Sequence, residues 1–224
     1  MNSLLQLLFP TACLLCALPD SALCSLCESK ISRVTGRREI AGTPLWAGAY
    51  YGEELAQLIL LAKEENNQPA RNYLAGLLVE TFMGTKTNPI QSPVATFIPI
   101  PSSPLANRKR GFRHSYLLAR RAAALIERSS SQTVAVIEAL GVNRKIADQS
   151  NLNRAERTRN ISGAYSVVSR HIPRSFLLAP EPIFLIDDLV TSGSSIREGL
   201  RALQEHGIAP SGVLAAGVSP RVFS

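Results

Sequence analysis

Apolar and polar positions alternate with two different periods along this chain, and the change of period marks out its elements. Residues Glu53 to Glu65 place Leu55, Leu58, Ile59 and Ala62 on one face at helical spacing, and Pro69 to Met83 continues as a second helix opened by a proline suited to the first turn. Ser115 to Glu127 predicts a third. Ser194 to His206 predicts a fourth, with Ile196, Leu200 and Leu203 turned inward and Gly207 as the stop. Between these lie short apolar runs read as buried strands: Val94 to Ile100 (VATFIPI), Thr133 to Ala139, Tyr165 to Val168, Ile183 to Ile186 and Val213 to Val218. Trp46 to Tyr51 reads as an aromatic strand or hairpin. Strands alternating with helices predict an α/β fold with a parallel sheet and right-handed crossovers. Three stretches lack a period: polar Glu28 to Thr43, basic Leu105 to Arg113, and Gly141 to Gly163, a long Arg- and Asn-rich loop of the kind that is usually either a functional lid or disordered.

Composition narrows the class. With 224 residues, 46% hydrophobic and 18% charged, the chain has room for one core and a small attachment, and it is too apolar for a disordered or fibrous protein. No apolar run reaches the length of a membrane span. The segment MNSLLQLLFPTACLLCAL imitates a secretory leader, but its first lysine is Lys30 and Pro10 interrupts it, so the expectation is a cytoplasmic protein without membrane insertion.

All four cysteines fall between Cys13 and Cys27. Cys13 and Cys16 form one two-residue knuckle, Cys24 and Cys27 another. Two thiolates of each knuckle can face one point, and two such pairs complete a tetrahedral sulfur shell suited to structural Zn²⁺. Redox pairs and disulfides are the competing readings, although a redox pair normally follows a strand and none precedes Cys13.

The densest chemistry lies in Ile183-Phe184-Leu185-Ile186-Asp187-Asp188-Leu189-Val190-Thr191-Ser192-Gly193-Ser194-Ser195. An apolar strand ending in two carboxylates places them at the edge of an open sheet where ligands bind. The turn that follows is rich in hydroxyls and leads into a helix N-terminus, where free amides and the dipole stabilise a phosphate. Gly193 lets the backbone approach closely, and Thr191, Ser192 and Ser195 add donors. Acids for sugar hydroxyls beside a phosphate cradle describe a ribose 5-phosphate site. The competing reading is an ordinary strand-to-helix turn that happens to be rich in serine.

That string resembles the signature of the type I phosphoribosyltransferases. The resemblance implies that the loop from Thr191 to Ser195 wraps the 5-phosphate of phosphoribosyl pyrophosphate (PRPP) while Asp187 and Asp188 hold the ribose hydroxyls. Purine-salvage members of that fold place an acid where this chain has Thr191, which argues against that subclass. Over nearly its full length the chain resembles the ComF family, which joins a four-cysteine zinc module to such a domain. The matching segments are Leu8-Phe9-Pro10, FIPIPSSPLANRKRGF (Phe97 to Phe112), Gln149 with Arg154, Arg157 and Asn160, Gly163 to Tyr165, and the acidic-pair loop. The implied division is a zinc module at 1–43 and a phosphoribosyltransferase domain at 44–224. Gly111-Phe112-Arg113-His114 departs from the family's Gly-Phe-Asn-Gln. Lys63 matches its helix-end lysine, but Glu64-Glu65-Asn66 replaces the aromatic-x-Gly that follows there.

The net charge of +7 is local. Residues 105–174 hold 14 of the 24 Lys+Arg and 4 of the 17 Asp+Glu, a surplus of +10, so the remainder of the chain is acidic. Much of the surplus falls after the Pro99-Ile100-Pro101 strand end and in the long loop, so Ser102, Arg110, Arg154, Arg157 and Arg159 are the candidates to meet pyrophosphate, with Mg²⁺ arriving on the ligand. Single-stranded DNA is the second partner, through the DNA uptake and natural transformation role that the ComF resemblance implies, although few aromatics interleave the charges. Plain solvation is the third reading. An active phosphoribosyltransferase with an unassigned nitrogenous acceptor is the alternative function. His114, His171 and His206 stand apart and are expected at the surface or at helix caps.

Overall fold

The computed structural model describes residues 12–85, 93–143, 161–172 and 181–220. Eight strands and six α-helices are defined within them: α1 (Ser25–Ser29), β1 (Arg38–Ile40), β2 (Thr43–Tyr50), α2 (Glu53–Glu64), α3 (Gln68–Gly84), β3 (Val94–Pro99), α4 (Pro104–Arg110), α5 (His114–Ser129), β4 (Thr133–Val136), β5 (Leu140–Val142), β6 (Tyr165–Val167), β7 (Ile183–Val190), α6 (Ser194–Gln204) and β8 (Gly212–Val218). The expected α/β architecture, a parallel sheet with flanking helices preceded by clustered cysteines, is what the chain adopts. Six strands run in the order β1-β2-β8-β7-β3-β4, all parallel except β1, which pairs antiparallel with β2 at the edge.

Both faces of the sheet are covered, which is why its central strands read as unbroken apolar runs. On one face Leu55, Leu58, Leu74, Leu78, Leu118 and Ile126 from α2, α3 and α5 pack on Phe97, Phe184 and Leu214. Phe82, Phe97 and Phe184 meet edge to face, with centroids 5.5 to 6.3 Å apart. The other face is covered by Ile196, Leu200 and Leu203 of α6 and by Leu140 and Tyr165 of the β5–β6 pair. Gly48 sets the spacing of α3, since a Cβ there would stand 2.7 Å from Leu77 Cβ.

This arrangement positions the site. From β3 the chain moves outward to β4 with α5 on the first face, and from β7 it moves the other way to β8 with α6 on the opposite face. Connections that diverge in this way open a crevice at the carboxyl ends of β3 and β7, the usual ligand position in an open α/β sheet.

Four sequence expectations are corrected. The supposed basic loop at Leu105 to Arg113 contains the helix α4. Ser103 Oγ accepts from Ala106 N (3.2 Å), Pro104 occupies the first turn, and Gly111 closes the helix at φ 78°, with Arg108, Lys109 and Arg110 at the favourable end of the dipole. Within the polar stretch Glu28 to Thr43, residues 38–40 form β1. The expected strand Thr133 to Ala139 ends at Val136, and Gly141 with Val142 belong to β5, whose partner is β6. Finally, β7 does not stop at Ile186. It continues to Val190, so the two acids lie inside the strand.

Candidate functional site

Register explains where the acids point. The pairing of β3 with β7 ends at Pro99 and Ile186, whereas β8 accompanies β7 through Val190. Side chains alternate across a strand, so Asp188 shares the face of Phe184 and Ile186, beneath α2 and α5. Asp187 shares the opposite face with Leu185, which packs in the α6 core.

Asp188 is almost fully buried, and its Oδ2 lies 3.0 Å from Lys63 Nζ at the end of α2 and 3.3 Å from His114 Nε2 at the start of α5. Burial alone would raise its pKa, but the Lys63 charge and the His114 contact hold it well below the usual carboxylate range. Asp188 in turn raises the Lys63 ammonium above its ordinary value. Asp187 behaves oppositely. Burial and the neighbouring Asp188 charge push it well above the carboxylate range, while its Oδ1 accepts from Asp188 N at 2.9 Å.

The loop after β7 turns sharply. Gly193 sits at φ 73° and leads into α6, and a Cβ on it would stand 2.3 Å from Ile40 Cδ1. Ser192 and Ser194 are buried with their hydroxyls 2.9 Å apart, Ser194 N donates to Ser192 Oγ at 3.3 Å, and Arg197 Nη1 donates to Ser192 O at 2.7 Å. Thr191 and Ser195 are half-buried. Tyr165, whose phenol is raised by burial, hydrogen-bonds Ser195 and reaches Pro101 O at 3.5 Å, so it ties this loop to the end of β3. Beneath it, buried Glu198 accepts from Tyr165 N (3.0 Å) and pairs with Arg201 (2.7 and 2.9 Å), which fixes β6 against α6.

Of the basic candidates, Arg110 comes to the acid pair's side of the crevice. Its side chain is 10% exposed, Nε lies 3.3 Å from Glu64 Oε1 beside Lys63, and Nη1 is buried with no partner among the described residues. Ser102 lines an open pocket of about 40 Å³ at the end of β3, with Asn107, Arg113, Ser115, Tyr116 and Glu138. Arg154, Arg157 and Arg159, with Gln149 and Asn160, lie outside the described residues, as does Leu8-Phe9-Pro10.

His114 is a correction. Expected at the surface or a cap, it is fully buried against Asp188, because the turn at Gly111 points the first residue of α5 under the sheet edge. Arg113, its neighbour, faces outward to stack on Tyr116 (4.7 Å) and pair with Glu138. Glu198 and Arg201 escaped sequence reasoning, and Tyr165 was named there only as a strand start and within the matching segment Gly163 to Tyr165. The alternation of the strand containing Tyr165 was legible, but its ties to the serine loop and α6 arise only in three dimensions.

The four cysteine sulfurs lie within 4.8 Å of one another, with Cys13, Cys24 and Cys27 buried and Cys16 exposed. Cys16 and Cys24 sulfurs are 3.6 Å apart and Cys24 N donates to Cys13 Sγ at 3.5 Å. Four sulfurs about 2.3 Å from a common zinc would be spaced about 3.8 Å apart, so this donor set fits a tetrahedral metal ion. Burial pushes the Cys27 thiol up to about 12, whereas Cys13 is lowered to about 6 by the backbone amides of Cys24, Leu15 and Cys16, which outweigh its own burial.

No protein-family model and no curated protein matches the chain. Among solved structures, it matches the crystal structure of adenine phosphoribosyl transferase from Trypanosoma brucei in complex with AMP, pyrophosphate and ribose-5-phosphate. The identity is 10%, the match covers 73% of this chain and 70% of that one, and the TM-score is 0.40. Among the described residues no helix is long and apolar enough to cross a membrane.

Proposed function

We propose that this protein binds PRPP at the crevice between β3 and β7, as a type I phosphoribosyltransferase domain of the ComF kind carrying a structural zinc module. The observation that carries the reading is the acidic pair on β7, Asp187 and Asp188, followed by the left-handed turn at Gly193 that delivers Ser192, Ser194 and Ser195 to the start of α6. In this reading Asp187 and Asp188 receive the ribose hydroxyls, and the turn from Thr191 to Ser195 receives the 5-phosphate through amides and hydroxyls. Arg110 carries positive charge to the crevice, where the pyrophosphate is received together with Ser102 and the arginines Arg154, Arg157 and Arg159. Magnesium bound with PRPP supplies Lewis acidity toward the leaving pyrophosphate. Cys13, Cys16, Cys24 and Cys27 hold Zn²⁺, whose closed sulfur shell stabilises the segment 1–43 ahead of the domain at 44–224.

The ComF resemblance further implies DNA uptake or utilisation, with single-stranded DNA as a partner, and the interrupted, lysine-free N-terminal run supports a cytoplasmic location. Arg108, Lys109, Arg113, Arg120 and Arg128 face solvent and supply charge for it. The alternative is an active phosphoribosyltransferase that moves ribose 5-phosphate to a nitrogenous acceptor. Its bond to pyrophosphate breaks, a bond from C1 to nitrogen forms, and the acceptor loses a proton.

The test is thermal stabilisation by Mg²⁺ and PRPP, followed by pyrophosphate release across candidate bases. Stabilisation that vanishes when Asp187 and Asp188 are both replaced by Asn supports the reading. Equal stabilisation in that double variant overturns it, and pyrophosphate release that depends on one base selects the enzyme.

A further inference from the structure

Asp188 differs from its neighbour in having its charge answered from two helices at once. Lys63 ends α2 and His114 begins α5, and both converge on one oxygen, Oδ2, at 3.0 and 3.3 Å. A carboxylate gripped at one oxygen by two groups from separate elements cannot rotate freely about its bond to Cβ, and it keeps its charge in a buried place. His114 is fully buried, and neither ring nitrogen meets hydrogen-bond geometry with a partner among the described residues; the close contact of its Nε2 is with this carboxylate, at 3.3 Å. Lys63 is one-third exposed; besides Asp188, Asp187 favours its charge and Arg110 opposes it. The whole contact depends on Asp188 lying inside β7 rather than beyond it.

We propose that Lys63 and His114 are positioning residues for ribose recognition: by clamping Oδ2 of Asp188 they fix the carboxylate so that Oδ1 reads a sugar hydroxyl. The inference rests on the PRPP reading above. It divides the acidic pair into two roles. Asp188 is the fixed, ionised acceptor, and Asp187, held by the Asp188 amide on the other face of the strand, is the member that burial and the neighbouring charge drive toward protonation.

Ligand affinity measured against pH separates this role from simple support of the fold. The groups in contact with Asp188 are Lys63 from α2 and His114 from α5, with Asp187 beside it on β7; Arg110 of α4 acts on Lys63 and pairs with Glu64. Without Lys63, burial dominates and the Asp188 carboxyl takes up a proton at higher pH. In Lys63→Met, calorimetric titration with Mg²⁺ and PRPP should therefore show the acidic loss of binding displaced upward by one pH unit or more. Below that midpoint each unit corresponds to about a tenfold loss of the ionised fraction. Lys63→Arg should restore the wild-type profile. His114→Leu should move the midpoint the same way, and His114→Gln should restore most of the affinity. Ligand-free melting identifies the folded variants, and Lys63→Gln serves where Lys63→Met does not fold.

An unchanged affinity and midpoint in folded Lys63→Met and His114→Leu overturns the clamp and leaves the PRPP reading intact. A weakening equal at every pH also overturns it, because it makes Lys63 a direct phosphate contact. A wild-type protein that binds no PRPP fails the reading itself, and the clamp falls with it.

Discussion

Asp187 and Asp188 are adjacent, identical and both buried, yet their protonation is driven in opposite directions. The strand turns one toward Lys63 and His114 and the other away, so burial is offset for Asp188 and reinforced by a like charge for Asp187. The consequences for stability have opposite signs. The folded pKa of Asp188 is depressed, so its contribution is present above the unfolded carboxylate value and is lost as pH falls through the lower folded value. Asp188→Asn should thus melt below wild type at neutral pH, with the gap closing only in strong acid. Asp187 has a raised folded pKa, so its contribution is present below the unfolded value and is lost as pH rises through the folded one. Asp187→Asn should melt above wild type at neutral pH, by about 2 to 4 °C if the relief is roughly 1 kcal/mol. A lower melting temperature for Asp187→Asn would contradict this account. At Gly193 the constraint is steric as well as conformational. Gly193→Ala should cost about 1 to 3 kcal/mol from its left-handed backbone, plus the collision with Ile40. Adding Ile40→Ala should recover only the collision, and denaturant melts of the two variants check this.

At the level of elements, β6 is held by polar contacts more than by its length of three residues. Glu198 in α6 accepts the Tyr165 amide and binds Arg201, whose Nη2 also donates to Tyr165 O at 3.0 Å. Arg201 is partly exposed and can turn to water, so Glu198→Ala should cost about 1 to 3 kcal/mol, mainly from the unpaired amide. Hydrogen exchange should show the Tyr165 amide losing protection before the amides of β7 and β8. Intact protection would remove Glu198 as the anchor. Elements of this kind were only partly legible. Long periodic helices such as α2 and α6 stood out because their apolar spacing is local information. In α4 the cap at Ser103, the proline and Gly111 were all visible, but seven residues crowded with Arg and Lys have no apolar face to announce a helix. The end of β7 was misplaced for a related reason, since two carboxylates look like the close of a buried strand unless their partners are known.

Across the whole molecule, the cysteine cluster and the sheet share side chains. Leu15 and Leu23 pack against the buried cysteines and also against the main core, while Val34 N donates to Gly48 O and Tyr50 N donates to Ser32 O along β2. Metal analysis should find one zinc per chain, and removing it should lower the melting temperature of the entire protein rather than release an independent piece. A metal-free preparation with unchanged melting would refute the zinc assignment. For the DNA reading, single-strand affinity should fall steeply with salt, and the slope should become shallower when Arg154, Arg157 and Arg159 are replaced by Ala. A flat dependence would remove that partner. The sequence by itself determined the alternation of strands and helices, the two cysteine knuckles and the string from Ile183 to Ser195, because each is written within a dozen or so neighbouring residues. The tertiary structure alone decided that Lys63 and His114 meet at Asp188, that Ile40 braces Gly193 and that Tyr165 joins two loops. Those contacts bridge residues 30 to 153 positions apart, where no local period carries a signal and only the packing of helices on a parallel sheet brings the side chains together.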